Sequence, residues 1–172
     1  MLIPAASFSF GAAAQRTTAG QGMLSIEGGY PCAVGLSWGQ YLPSSMWEAG
    51  AFAQYRTYHV SPEYSMPYYP AALYGDWMYR VAATRSRAFN LYAGAGVFLG
   101  WEFYDPQKTL PDFISSSLSE GAFLYGVNPK IQAELFFTRR MAVILSGSAP
   151  INFTSSCAWI QPYGSFGLRL DL

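Results

Sequence analysis

From Gly22 onward the chain repeats one pattern: about ten residues in which apolar side chains alternate with polar or small ones, then a cluster of turn residues. Successive side chains of an extended strand point to opposite faces, so period-two alternation predicts strands and argues against helices. Phe89–Phe103 is the clearest case. Phe89, Leu91, Ala93, Ala95, Val97, Leu99, Trp101 and Phe103 fall on one face, and Asn90, Tyr92, Gly94, Gly96, Phe98, Gly100 and Glu102 on the other. The same parity predicts strands over Met23–Tyr30, Val34–Gln40, Met46–Val60, Ala71–Ala83, Tyr125–Phe137, Met141–Asn152 and Trp159–Leu172. Pro129, Pro150 and Pro162 fall inside these strands, where each removes a ladder hydrogen bond.

Composition changes what the strands build. Only 12% of residues are charged and 17% are aromatic, so the chain is poorly equipped to face water on its outside. No uninterrupted apolar run reaches the roughly 18 residues of a spanning helix. A membrane protein without helices must pair every backbone group between strands, which requires a closed barrel. The expected fold is therefore all-β: an eight-stranded antiparallel up-and-down transmembrane β-barrel of the outer-membrane type. The charges test this. Glu27, Glu48, Arg56, Asp76, Arg80, Glu102, Lys130, Glu134, Arg169 and Asp171 all take the inward parity, and no charge takes the outward parity within a strand. A soluble ligand-carrying barrel shows the inverse arrangement. In so narrow a barrel these groups are expected to form a charge network filling the lumen, without a pore.

The connections alternate as well. Tyr41–Ser45, Thr84–Ala88 and Thr138–Arg140 are short and carry Arg85, Arg87, Arg139 and Arg140. They read as periplasmic turns whose arginines either solvate a rim or meet an acidic partner. Ser61–Pro70 and Tyr104–Leu124 are longer and more acidic, as external loops would be. Trp38, Tyr41, Trp47 and Phe137 are expected in a lower aromatic girdle, and Tyr30, Trp101, Phe103, Phe153 and Trp159 in an upper one.

Residues 1–14 are small and apolar, end in Ala-Ala-Ala and precede Gln15-Arg16, which reads as the remnant of a secretory signal peptide. Residues 15–172 then form a single outer-membrane barrel domain. Export makes a disulfide between Cys32 and Cys157 a candidate, since strands one and eight adjoin in a closed barrel. A formal net charge of zero leaves no basic field for direct nucleic-acid binding. One histidine and two distant cysteines lack metal-ligand spacing, and Gly94, Gly96 and Gly100 lie mid-strand, where they make room in the lumen rather than bind phosphate. No catalytic residue, metal, cofactor or small-molecule substrate is expected. The alternatives are a lipid-modifying enzyme using His59 and Ser61, with Glu63 beyond them, and an adhesin-type barrel acting through its external loops.

Several stretches carry a resemblance. They are Ala-Gln-Arg at the expected cleavage site, Tyr79-Arg80 with the Thr84–Arg87 turn, and LYAGAGVFLGWE over Leu91–Glu102. Phe123-Leu124-Tyr125-Gly126, FTRRMAVIL over Phe137–Leu145, and Gly167-Leu168-Arg169-Leu170 follow in order. With these motifs the chain resembles the conjugal transfer protein TraO family of Bacteroidetes conjugative transposons, from about Gln15 to Leu172. The resemblance implies a non-enzymatic outer-membrane component of a type IV secretion-like conjugation apparatus. Its implied partners are outer-membrane lipid and other conjugative transfer proteins, and it carries over no catalytic residue.

Overall fold

In a computed structural model, residues 19–59, 65–104, 121–155 and 158–172 are described. The expected signal-peptide remnant lies outside them. The strands are β1 (Gly22–Tyr30), β2 (Ala33–Tyr41), β3 (Ser45–Gln54), β4 (Arg56–His59), β5 (Ser65–Ala83), β6 (Phe89–Tyr104), β7 (Gly121–Phe136), β8 (Met141–Ser148), β9 (Ile151–Asn152) and β10 (Tyr163–Asp171). β3 and β4 form one stave interrupted at Tyr55, and β9 continues the line of β8 by pairing with β7. Every pairing is antiparallel. The order runs β3-β2-β1-β10-β8-β7-β6-β5, and β5 returns to β3, closing an eight-staved barrel. Closure leaves no edge within the ring, so the backbone polar groups there pair internally.

The wall is sorted by parity as expected. Ile26, Leu36, Leu73, Val97, Leu99, Leu145 and Phe166 point outward and are each more than half exposed. The inward positions are buried, and they hold the polar residues. The lower rim, where β1 begins and β10 ends, carries the short turns of residues 42–44, 84–88 and 137–140. The staves differ in height. β1, β2 and β10 have nine residues, about what crosses a membrane. β5 has 19, and β6 and β7 have 16 each, so that side of the wall rises past the upper rim.

Several expectations are corrected. β5 begins at Ser65 and runs through Pro67 and Pro70, so the connection expected over Ser61–Pro70 is mostly strand. β7 likewise begins at Gly121, four residues before the expected start. Turn-like residues were outweighed there by ladder pairing with β6 (Tyr68 opposite Tyr104, Gly121 opposite Phe103). Strand three splits into β3 and β4. Pro150 and Pro162 lie outside strands: the ladder stops at Ser148, resumes at Ile151, and starts again at Tyr163. Pro129 does sit in a strand, opposite Ala95. Tyr41 is not in the girdle. It ends β2 on the inward parity and is 1% exposed, inside the lumen.

Glycines on β6 do more than make room in the lumen. A Cβ on Gly94, Gly96 or Gly100 would collide with the backbone of β5, at Trp77, Gly75 and Ala71 respectively. What they spare is the close approach of the neighbouring strand, which lets the wall curl tightly.

Candidate functional site

The lumen is stacked in layers. Near the lower rim Met23, Tyr41, Met46, Met78, Tyr92, Phe136 and Ala142 form an apolar layer. Higher up, Ala72, Phe98 and Leu124 form a second, with Phe52 and Tyr74 packed against them. Tyr163 closes on Phe52 at 6.1 Å between ring centroids. Between these layers lies the main charge cluster.

Lys130 and Arg169 organise that cluster. The Lys130 ammonium donates to Glu48 Oε1, lies 3.7 Å from Asp76 Oδ2 and 3.9 Å from Glu27 Oε1, and sits 5.5 Å over the Tyr74 ring. The Arg169 guanidinium donates to Glu48 Oε2 at 2.8 Å, to Glu134 Oε1, and through Nε to Ser25 Oγ at 2.7 Å. Neutral donors add to these bonds. Tyr41 and Gln132 donate to Glu134, Asn128 donates to Asp76 at 3.2 Å, and Ser146 and Ser165 donate to Glu27. Buried charge is tolerated only when paired and hydrogen-bonded in this way. The cavity between Glu27, Phe52, Tyr74 and Lys130 is about 20 Å³, enough for one water at most, while a larger, open groove of about 640 Å³ runs past Tyr30, Pro129, Lys130 and Gly147. Among the described residues, the middle of the lumen is filled by these side chains.

The ten inward charges do not form one network. Glu27, Glu48, Asp76, Lys130, Glu134 and Arg169 meet in the middle layer. Arg80 bonds the Pro43 carbonyl at the lower rim, and Asp171 is buried opposite Met23. Glu102 and Arg56 belong to the upper mouth, above the aromatic layer. Glu102 is fully buried and accepts from Tyr104 at 2.6 Å, Ser155 at 2.7 Å and Gln161 at 3.2 Å. Arg56 donates to Gln54 and to the carbonyls of Gln161 and Pro162 at 3.1 and 3.2 Å. Together they fasten Ser155, Gln161 and Pro162 at the mouth. Parity identified every charge in these groups. It did not identify Ser25, Tyr41, Asn128, Gln132, Ser146 and Ser165 as their partners, although inward parity marks all six.

The lower-rim arginines stand apart from this. Arg85, Arg139 and Arg140 are exposed and Arg87 is partly buried, with φ of 54° in its turn. Among the described residues none of the four has a carboxylate partner. Their two turns are neighbours: Phe136 N donates to Ala88 O at 2.8 Å, and Phe89 lies opposite Leu135.

His59 ends β4 with its side chain exposed. Ser61 and Glu63, the companions expected for it, lie outside the described residues. Cys32 is an exposed free thiol in the β1–β2 turn, and Cys157 lies outside the described residues.

The aromatic girdles form two bands. Trp38 packs edge-on against Trp47 at 5.0 Å, and Trp47 lies opposite Trp77. On the tall side Trp101, Phe123, Tyr125 and Phe153 follow one another at ring separations of 5.8–6.2 Å, and Tyr55 meets Tyr69 at 5.4 Å. Rings at two levels are what a wall crossing two membrane interfaces carries.

Comparison with known proteins agrees with this geometry. The model of the family "Conjugative transposon protein TraO" matches residues 23–172, the whole barrel. Among solved structures, the chain is similar to the N-terminal β-barrel domain of Pseudomonas aeruginosa OprF, with a TM-score of 0.51 and 9% identity, covering 92% of this chain and 100% of that one. It is similar to Neisserial surface protein A (NspA) with a TM-score of 0.51 and 9% identity, covering 88% of this chain and 94% of that one. At such identity these likenesses concern the fold alone. No curated protein matches the chain by sequence.

Proposed function

This chain belongs to the TraO family of conjugative transposon proteins, and on that premise we propose that it is a non-enzymatic outer-membrane component of a conjugative transfer apparatus. The observation that carries the reading is the extent of the family match, which begins in β1 and ends at the last residue, so the relation attaches to the barrel itself. An outward face of aliphatic and aromatic side chains supports residence in the outer membrane, with the lower rim in the periplasm. The filled lumen supports a role as an anchored scaffold rather than a channel for the transferred strand. Other transfer proteins dock on its exposed surfaces, the tall β5–β7 wall foremost. The non-enzymatic reading is supported by the engagement of Glu48, Asp76 and Glu134 with lysine, arginine and neutral donors, which leaves these acids committed to structure.

The test is transfer frequency from a donor with the gene deleted in frame, with and without restoration in trans, alongside fractionation of the envelope. A fall of several orders of magnitude, reversed by complementation, with the protein in the outer-membrane fraction, is expected. Unchanged transfer overturns the role in conjugation. A His59→Ala variant that alters the lipid A profile overturns the non-enzymatic reading.

A further inference from the structure

We propose that Arg85, Arg87, Arg139 and Arg140 form a binding site for the phosphate-bearing headgroup of an anionic phospholipid in the periplasmic leaflet. Three observations carry this. The first is that the four arginines are gathered on two neighbouring turns, not scattered round the rim. They come from the β5–β6 and β7–β8 turns, held side by side by the Phe136–Ala88 hydrogen bond, whereas the other lower turn, Leu42-Pro43-Ser44, carries no charge.

The second is that they are unspent. Lys130 and Arg169 in the middle of the lumen are consumed by carboxylates and Arg56 and Arg80 by amide and backbone oxygens, but among the described residues none of these four meets an acid, although Arg140 sits beside the end of β10, with its carbonyl accepting from Asp171 N at 2.7 Å. Arginine presents a planar fork that matches a phosphate with two parallel hydrogen bonds, so an unpaired group of four is suited to that ligand.

The third is depth, and it decides between a lipid and an acidic protein. Phe89 and Phe137 are the last outward-facing rings on β6 and beyond β7, and are 36% and 55% exposed. Arg87 and Arg139 each lie two residues past one of them. Both turns are tight, with Arg87 N donating to Thr84 O at 2.9 Å, Thr84 N to Phe89 O at 3.0 Å and Phe137 N to Met141 O at 3.2 Å, so their backbone stays close to the last ladder pair and the end of the apolar band. The headgroup layer on one side of a bilayer is about 5–7 Å deep. Turn residues held so close to the strand ends stand in the headgroup layer, where lipid phosphates lie, and not out in the periplasm. Anionic surfaces attract such residues individually, and clustering on one arc of the rim makes the attraction local.

The full-length protein would be reconstituted in vesicles of phosphatidylcholine and of phosphatidylcholine with phosphatidylglycerol, and unfolding followed by loss of the heat-modifiable gel shift. The wild type is expected to melt several degrees higher with phosphatidylglycerol, with the increment falling as salt rises. R85Q/R87Q/R139Q/R140Q should melt like wild type in phosphatidylcholine but lose the increment. The corresponding four-lysine variant should keep only part of it, because a point charge lacks the fork. An equal increment in wild type and the glutamine variant overturns the site, as does no increment in wild type. If the glutamine variant loses transfer while lipid leaves both proteins' melting unchanged, the arginines meet an acidic periplasmic protein instead, and the proposal falls. The lipid measurement needs no transfer assay, so it stands or fails independently of the role in conjugation.

Discussion

Glu48 and Asp76 face each other directly across the β3–β5 ladder, two buried carboxylates on adjacent strands with their side chains in the same lumen. Like charges so placed destabilise a sheet unless something bridges them. Lys130, arriving from β7, two staves along from β5, does so, bonding Glu48 and lying 3.7 Å from Asp76. Three staves are thus tied together by one ammonium.

Lys130→Met should therefore destabilise the barrel by about 3–5 kcal/mol, the cost of leaving buried charge without its partner. Urea unfolding in lipid vesicles measures this. Adding Glu48→Gln and Asp76→Asn to the same chain should recover much of the loss, and a triple variant no more stable than Lys130→Met would contradict the bridge.

Two glycines on adjacent strands should respond oppositely to alanine. A Cβ at Gly75 meets nothing within 4 Å, so Gly75→Ala should be neutral or stabilise by up to about 1 kcal/mol. A Cβ at Gly96 runs into the Gly75 carbonyl and the Asp76 side chain, so Gly96→Ala should cost about 1–3 kcal/mol. The comparison is of denaturation midpoints in one lipid.

Leu36→Arg places a charge on the outer face in mid-wall and should cost about 2–4 kcal/mol, whereas Tyr30→Arg, at the upper rim, should cost about 0–1 kcal/mol. Equal costs would mean that the outer face does not meet hydrocarbon at Leu36.

Arg56→Ala removes the donor to the Gln161 and Pro162 carbonyls. Limited proteolysis should then cut near residues 158–162 faster while the heat-modifiable gel shift of the barrel stays as it was. Glu102→Ala, which loses the Gln161 and Ser155 bonds, should act in the same direction.

The orientation gives a labelling pattern. In a Cys157→Ser background, an impermeant maleimide added to whole cells should modify Cys32, in the upper turn of β1 and β2. Ser44→Cys in a Cys32→Ser, Cys157→Ser background should react only after the outer membrane is opened. The reverse pattern would invert the barrel.

Strand number, strand parity and the inward placement of all ten charges were legible in the alternation, because the pleat ties side-chain direction to sequence position with no reference to the rest of the fold. The wall glycines and proline-bearing segments were less legible. Whether Pro67 and Pro70 end a strand or ride within β5 depends on what β6 offers across the ladder, and whether Gly96 spares lumen or backbone depends on how closely β5 curls against it. The sorting of the charges into a middle cluster, a lower rim and an upper mouth was decided only by the tertiary structure. Parity states that Lys130 and Glu48 both point inward, but their meeting across 82 positions of chain depends on barrel radius and strand stagger. Those quantities are set by every ladder register together, and no segment of the sequence contains them alone.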